Sequence, residues 1–210
     1  AAAADGPALY AEHCASCHGV DRVGGMGPAL LPESLGRLKP EAAAGVIRDG
    51  RPATQMPGFA GTLTGADIAA LAELIRTPLV EVPSWDREEI AASRTVLAAP
   101  EALPDRPLWQ ADPLNLFVVV EAGDHHVTIL DGDRFEPLAR FPSRFALHGG
   151  PKFSPDGRFV HFMSRDGWVT RYDLWSLQPV AEVRVGINSR NIAISDDGRV
   201  IAVANYLPHT

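Results

Sequence analysis

HCASCHG, residues 13–19, is the stretch of this 210-residue sequence most able to do chemistry. Cys14 and Cys17 stand three positions apart, and His18 follows the second directly. They are the two cysteines of the sequence. A structural zinc site needs two more thiolate or imidazole ligands, and no second CxxC or HxxxH follows. A thioredoxin-type CxxC sits after a strand at the start of a helix, and no βαβ pattern surrounds this one. CxxCH spacing suits covalent attachment of heme c: two thiols reach the two vinyl groups along one porphyrin edge, and His18 comes under the iron as a neutral imidazole.

Other residues must complete such a site. GMGPAL, residues 25–30, supplies Gly27-Pro28, a loop whose carbonyl can accept the Nδ1 proton of His18, orienting the ring and making it more basic. Pro28 reads equally well as a plain turn residue. For the opposite side of the iron, Met26 is too near His18 in sequence and Met163 falls in a strand-like stretch. That leaves Met56, in the Pro/Gly loop TQMPGF, as sixth ligand or as a gap-filling loop residue. His/Met ligation raises a heme's reduction potential and suits electron transfer.

The elements that would position these residues are helical. Asp5 can cap a first helix with Pro7 in its first turn. Pro40–Arg48 reads as a second. TGADIAALAELIR, 64–76, reads as a third, with Thr64 as cap, Asp67 in the first turn, and Ile68, Leu71, Ala72 and Ile75 on one face. From 77 to 113 the character changes, and prolines at 78, 83, 100, 104, 107 and 113 predict a semi-rigid spacer whose one helix-like run is EEIAASRTVL, 88–97.

Strands follow. NLFVVVEAGDHHVTILDGDRF holds two apolar runs around a Gly-Asp turn. FSPDGRFVHFMSRDG (153–167) is echoed by ISDDGRVIAVANY (194–206) at an offset of about 40 residues, the length of one four-stranded propeller blade. WVTRYDLW and QPVAEVRV lie between the copies as two more strands. The organisation expected is an all-α domain over 1–77, a proline-rich linker over 78–112 and the first blades of an all-β propeller over 113–210. Because a propeller closes with about four to eight blades, the chain reads as truncated from a longer one.

With 46% hydrophobic and 21% charged residues, the sequence can bury a sizeable core. A formal charge of -7 argues against a nucleic-acid surface, which needs a basic stripe. No apolar run approaches the about 20 residues of a membrane span, and no basic region precedes an apolar core at the start. The opening alanines fit the residue of a cleaved export signal or an ordinary frayed terminus. His125 and His126 read as turn residues that on a strand would face opposite ways. His161, expected to project from a strand face, and His209 are assigned no role.

The helices around CxxCH, with the GPxL and late MPxF loops, resemble a class I cytochrome c domain over residues 5–77. The order of that domain, spacer and propeller strands resembles the cytochrome cd1 family over nearly the whole chain, on PLNLFVVV (113–120), ILDGD (129–133), SRDGWVTRYDLW (164–175) and VGINSRNI (185–192). The resemblance implies one covalent heme c, an eight-bladed propeller, and heme d1 or dihydro-heme d1 held upon it. His148 stands where the family's nitrite reductases carry the proximal ligand to heme d1. A Gly-Gly-Pro follows it, however, and its spacing to the next SxxGR-type turn is one residue longer than theirs, so a hydrogen-bonded loop histidine is the alternative. Arg165 and Arg190 match positions that contact the macrocycle, where guanidiniums can grip its carboxylates; salt-bridged turn arginines are the other reading. Arg144 and Lys152 flank His148 as further candidates.

Three functions follow from the resemblance. One is a periplasmic dehydrogenase of heme d1 biosynthesis, oxidising a propionate of dihydro-heme d1 to an acrylate and passing electrons to heme c. Another is a nitrite reductase that sends electrons the opposite way to make nitric oxide. The third is an electron-transfer cytochrome fused to a protein-binding propeller. A compact cytochrome domain without the reductases' N-terminal extension, and HGGPK in place of their ligand loop, favour the first. Its expected partners are the tetrapyrrole substrate, small redox proteins, and a nitrite reductase as recipient of heme d1.

Overall fold

Asp5 caps the first helix as its position predicts: the carboxylate accepts from the Ala8 amide at 3.1 Å, and α1 runs Gly6–His13 with Pro7 in its first turn. The computed structural model describes residues 4–81, 83–147 and 149–207. It divides into two compact units, Ala1–Ser84 and Trp85–Thr210.

The first unit is helical. After α1 come the short α2 (Ala15–His18), α3 (Pro40–Asp49) and α4 (Gly65–Leu74). Thr64 and Asp67 form a reciprocal capping box at the start of α4. Tyr10, Ala43, Ile47, Ile68, Leu71 and Ile75 are buried together, which joins α1 and α3 to α4. The third helix closes two residues before the predicted Arg76. There the Leu74 and Thr77 carbonyls accept from the buried guanidinium of Arg22, the latter at 2.9 Å.

Among the described residues the second unit holds α5 (Arg87–Ser93) and ten strands: β1 (Thr95–Val96), β2 (Leu116–Glu121), β3 (His126–Asp131), β4 (Glu136–Pro142), β5 (Lys152–Phe153), β6 (Phe159–Met163), β7 (Trp168–Asp173), β8 (Gln178–Arg184), β9 (Asn188–Ile194) and β10 (Ile201–Leu207). They form three antiparallel sheets, ordered β2-β3-β4, β1-β8-β7-β6-β5 and β10-β9. Strand β3 is buried at Val127, Ile129 and Asp131 and partly open between them, the period of two expected of a strand with one covered face.

Face-to-face packing joins the sheets. Val127 and Ile129 of the first pack against Val160, Phe162 and Tyr172 of the second. The Phe141 and Tyr172 rings stack at 4.2 Å and 14°, an arrangement that adds about 1 kcal/mol beyond area burial. Met163 and Val169 pack against Ile192 of the third sheet. The second sheet is thus covered on both faces, which is why His161 is buried rather than projecting outward.

The stretch predicted to be a spacer is bound to the second sheet over much of its length. Its helix ends at Ser93 because β1 then pairs with β8. The indoles fasten it, Trp85 donating to the Arg184 carbonyl at 2.9 Å and Trp109 to the Leu174 carbonyl at 2.6 Å. Prolines remove amide donors, so segments rich in them read as spacers; aromatic latches restore the attachment.

Tyr172 is fully buried and its hydroxyl has no hydrogen-bond partner among the described residues. Tyr172→Phe should therefore leave the packing intact and raise stability by about 1 kcal/mol, whereas Tyr172→Ala should cost about 3–5 kcal/mol. Chemical denaturation of the two variants checks both values.

Candidate functional site

The helical unit brings the CxxCH residues together on one turn. The Cys14 amide donates to the Tyr10 carbonyl at 2.9 Å and ends α1, and the His18 amide donates to the Cys14 carbonyl at 2.9 Å within α2. Both cysteines are free and half-buried. Burial, then the neighbouring Cys17, pushes the Cys14 thiol up to about 11.

Loop 24–28 folds back over this turn. The Gly27 amide donates to the Cys17 carbonyl at 2.7 Å, and His18 Nδ1 lies 2.7 Å from the Pro28 carbonyl oxygen. A carbonyl only accepts, so Nδ1 carries the proton and Nε2 keeps its lone pair. Burial holds the His18 imidazole below the usual histidine range, partly opposed by this hydrogen bond. The loop lies so close that a β-carbon at Gly27 would sit 2.7 Å from His18 Cε1. Among the described residues no group of three His, Cys, Asp or Glu side chains is placed to hold a metal alone. Two thiols and one neutral, oriented imidazole fit heme c, whose porphyrin nitrogens would supply the rest of the coordination.

Met56 is half-buried in a loop pinned to the end of α3. Its carbonyl accepts from the Arg51 amide at 3.1 Å, and Phe59 and Ala60 donate to the Ile47 and Arg48 carbonyls, each at 3.0 Å. The far end of the loop meets the CxxCH segment, with the Phe59 ring 6.0 Å from that of His13.

The sheet unit gathers its own candidates at one end. His148 lies outside the described residues. On either side of it, Leu147 bridges to Ser164, and Gly149 faces Asn191 so closely that a β-carbon there would lie 2.5 Å from its Oδ1. Arg165, half-buried in the β6–β7 turn, donates its amide to Ala146 at 3.2 Å and accepts from the Ser189 amide at 3.0 Å. Arg190 follows, its guanidinium 5.3 Å from the Tyr206 ring centroid. The turn carrying Arg165 therefore meets Ala146 of the β4–β5 loop and Ser189, the neighbour of Arg190 at the start of β9.

The two flanking candidates are occupied within the fold. Arg144 lies 3.9 Å over Trp168 and pairs with Glu182 at 2.5 Å, while Lys152 donates to the Gly149 carbonyl at 2.7 Å. An apolar cavity of about 120 Å³ opens beside these loops, lined by Val120, Leu147, Gly150, Pro151, Phe162 and Met163. His125 is confined to a turn, its ring edge-on to Phe145, while His126 begins β3. The sequence did not mark Asp166 and Arg184, which lie buried or half-buried beneath the same end of the sheet.

Comparison with known proteins matches residues 111–210 to the cytochrome D1 heme domain and residues 1–75 to the cytochrome c oxidase, cbb3-type, subunit III family. Dihydro-heme d1 dehydrogenase of Pseudomonas aeruginosa is 64% identical over 98% of this chain. The chain is a relative of that dehydrogenase. A solved structure of dihydro-heme d1 dehydrogenase NirN in complex with DHE superposes with a TM-score of 0.86 over 97% of the chain, also at 64% identity. A nitrite reductase of Stutzerimonas stutzeri is 28% identical over 89% of the chain. The chain spans less than half the length of these relatives: 42% of the dehydrogenase sequence, 44% of the chain in the solved structure and 36% of the reductase. It thus carries a cytochrome c domain and a D1 heme domain built of antiparallel sheets.

The approach of Gly27 to His18 yields a direct test. Gly27→Ala should lift the 24–28 loop off the imidazole, break the Pro28 contact and lower the yield of correctly ligated, heme-loaded protein on the order of tenfold. Visible absorption of purified protein, normalised to polypeptide, measures it.

Proposed function

We propose that the protein is a periplasmic oxidoreductase of heme d1 biosynthesis that converts a propionate side chain of dihydro-heme d1 to the acrylate. Two hydrogens leave the CH2–CH2 unit as two protons and two electrons, and a C=C bond forms. Cys14, Cys17 and His18 would hold heme c, which would supply one-electron redox chemistry, so that the two electrons would leave singly for a small redox protein. Met56 is the sixth ligand in this reading. Arg165 and Arg190 bind the substrate's carboxylates, with His148 beside the tetrapyrrole.

The observation that carries the proposal is the 64% identity to dihydro-heme d1 dehydrogenase, spread over 98% of the chain rather than over one domain. The contacts of the 164–167 turn with Ala146 and with Ser189 at the start of β9 support a common ligand for the side chains of these segments. The three stacked sheets and the repeat of about 40 residues support successive blades of an eight-bladed propeller. Covalent heme c attachment to an exported chain underlies the periplasmic assignment, and no helix among the described residues is long and apolar enough to cross a membrane. A nitrite reductase is the proposed recipient of the product.

Incubating the heme-loaded chain with dihydro-heme d1 tests the activity. Conversion to the acrylate with concurrent reduction of heme c is the expected result, and an unchanged visible spectrum rules it out. Nitric oxide released from nitrite and a reductant would assign the reductase chemistry instead.

Met56 has its own readout. Met56→Ala should lower the heme c midpoint potential, because thioether ligation favours the reduced iron. A spectroelectrochemical titration giving the wild-type potential would remove Met56 as a ligand.

A further inference from the structure

Arg22 is buried in the helical unit, 6% exposed, four residues after His18. Its backbone has φ 60°, in the left-handed region that residues other than glycine enter at a cost. Such a conformation persists where the surroundings over-determine it. Hydrogen bonds to both the backbone and the side chain do so here. The Arg22 amide donates to the Gly19 carbonyl at 3.1 Å, and the Arg22 carbonyl accepts from the Leu30 amide at 2.8 Å. One terminal nitrogen of the guanidinium donates to the Leu74 carbonyl and the other to the Thr77 carbonyl at 2.9 Å.

The backbone bonds close a loop around the acceptor of the His18 proton. Between Arg22 and Leu30 lie Gly24, Gly25, Gly27 and Pro28. The glycines bring no side chains to pack and the greatest backbone freedom to lose, so the segment cannot hold its own shape. Its ends must therefore fix where the Pro28 carbonyl sits, 2.7 Å from His18 Nδ1. At the near end the Gly19 carbonyl accepts from the Arg22 amide and also from the Tyr10 hydroxyl, the latter at 2.8 Å. At the far end the Leu30 amide is bonded to Arg22 itself.

The side-chain bonds tie that loop to α4. Carbonyls at the end of a helix carry partial negative charge, so a guanidinium beside them is favoured both as donor and as cation. Its planar fork presents two nitrogens at a fixed spacing and can hold two carbonyls at once, whereas an ammonium is a single point of charge. Leu71 and Ile75 of the same segment are buried with Tyr10 in the helical core. One side chain thus refers the loop to that core, across 52 residues of sequence between Arg22 and Leu74.

We propose that Arg22 is a positioning residue for the axial histidine of heme c. By tying both ends of the 22–30 loop to the end of α4, it keeps the Pro28 carbonyl against His18 Nδ1 and so sets how strongly the imidazole donates to iron. This rests on heme c as the group held by Cys14, Cys17 and His18. Arg22 acts through the Gly19 and Leu30 bonds, not on the imidazole directly.

The test uses the heme c-loaded chain in its reduced, diamagnetic form. Hydrogen exchange is followed by NMR at the His18 Nδ1 proton and at the Leu30 and Leu71 amides, and the heme c midpoint potential is measured by spectroelectrochemical titration. Arg22→Lys keeps the positive charge but loses the fork. Relative to wild type, it should speed exchange at His18 Nδ1 and Leu30 on the order of tenfold more than at Leu71. It should also raise the potential, because a weaker hydrogen bond makes the imidazole less basic and the oxidised iron less stable. Equal acceleration at all three sites overturns the inference, since Arg22 would then be an ordinary structural residue. So does a potential that stays the same or falls.

Wild-type protein supplies a second measurement that needs no variant. Because Arg22 joins the loop to the helix end, exchange at His18 Nδ1, Leu30 and Thr77 should show one common dependence on denaturant. Should Arg22→Lys fail to accumulate, this comparison decides alone: a common dependence upholds the inference, and a weaker dependence in the loop than at Thr77 overturns it. A wild-type chain matured where heme is attached, yet of bare-polypeptide mass, overturns the cofactor reading and this inference with it.

Discussion

The contact between His18 Nδ1 and the Pro28 carbonyl, 2.7 Å long, is the constraint on which the helical unit turns. It decides which nitrogen carries the proton and therefore which is left to bind iron. Its geometry depends on Gly27, because any β-carbon there would displace the ring. It depends also on Arg22, whose carbonyl accepts from the Leu30 amide at 2.8 Å and whose guanidinium reaches the end of α4. One buried arginine thus fastens the loop that orients the imidazole to the helix that closes the core.

The sheet unit solves a different problem. Each sheet needs both faces covered, and the second achieves this by packing Phe162 and Tyr172 toward Phe141 on one side and Met163 and Val169 toward Ile192 on the other. Aromatic and branched aliphatic side chains do this without directional bonds, so the faces stack while hydrogen bonding stays within each sheet. The end of the sheets remains for polar work. Loops that meet there through backbone bonds bring guanidiniums from distant positions into one neighbourhood.

Buried carboxylates mark where such arrangements cost stability. Asp173 is matched by Arg158, Ser176 and the Trp175 amide and stays ionised readily. Asp166 has fewer donors and resists ionisation, at the end of the sheet where the candidate ligand residues meet. The Ser-x-Asp-Gly turns at 154–157, 164–167 and 195–198 differ in electrostatics for the same reason: burial raises the Asp166 carboxyl, whereas the exposed Asp156 and Asp197 are held low, chiefly by their serine hydroxyls.

Much of this was legible from residue types alone. CxxCH spacing specifies its own chemistry, since two thiols and an adjacent imidazole match the edge and iron of one porphyrin. Asp5, Thr64 and Asp67 announce their helices by local hydrogen bonds that need no tertiary partner. The alternation in β3 and the repeated hairpin turns identify strands for the same local reason. What the sequence by itself determined was this short-range chemistry. The binding of the proline-rich stretch to β8, the end of α4 under Arg22, the burial of His161 and the raised carboxyl of Asp166 were decided only by the tertiary structure. Each depends on groups tens of residues away, and burial and electrostatic environment exist only once those groups have been brought together.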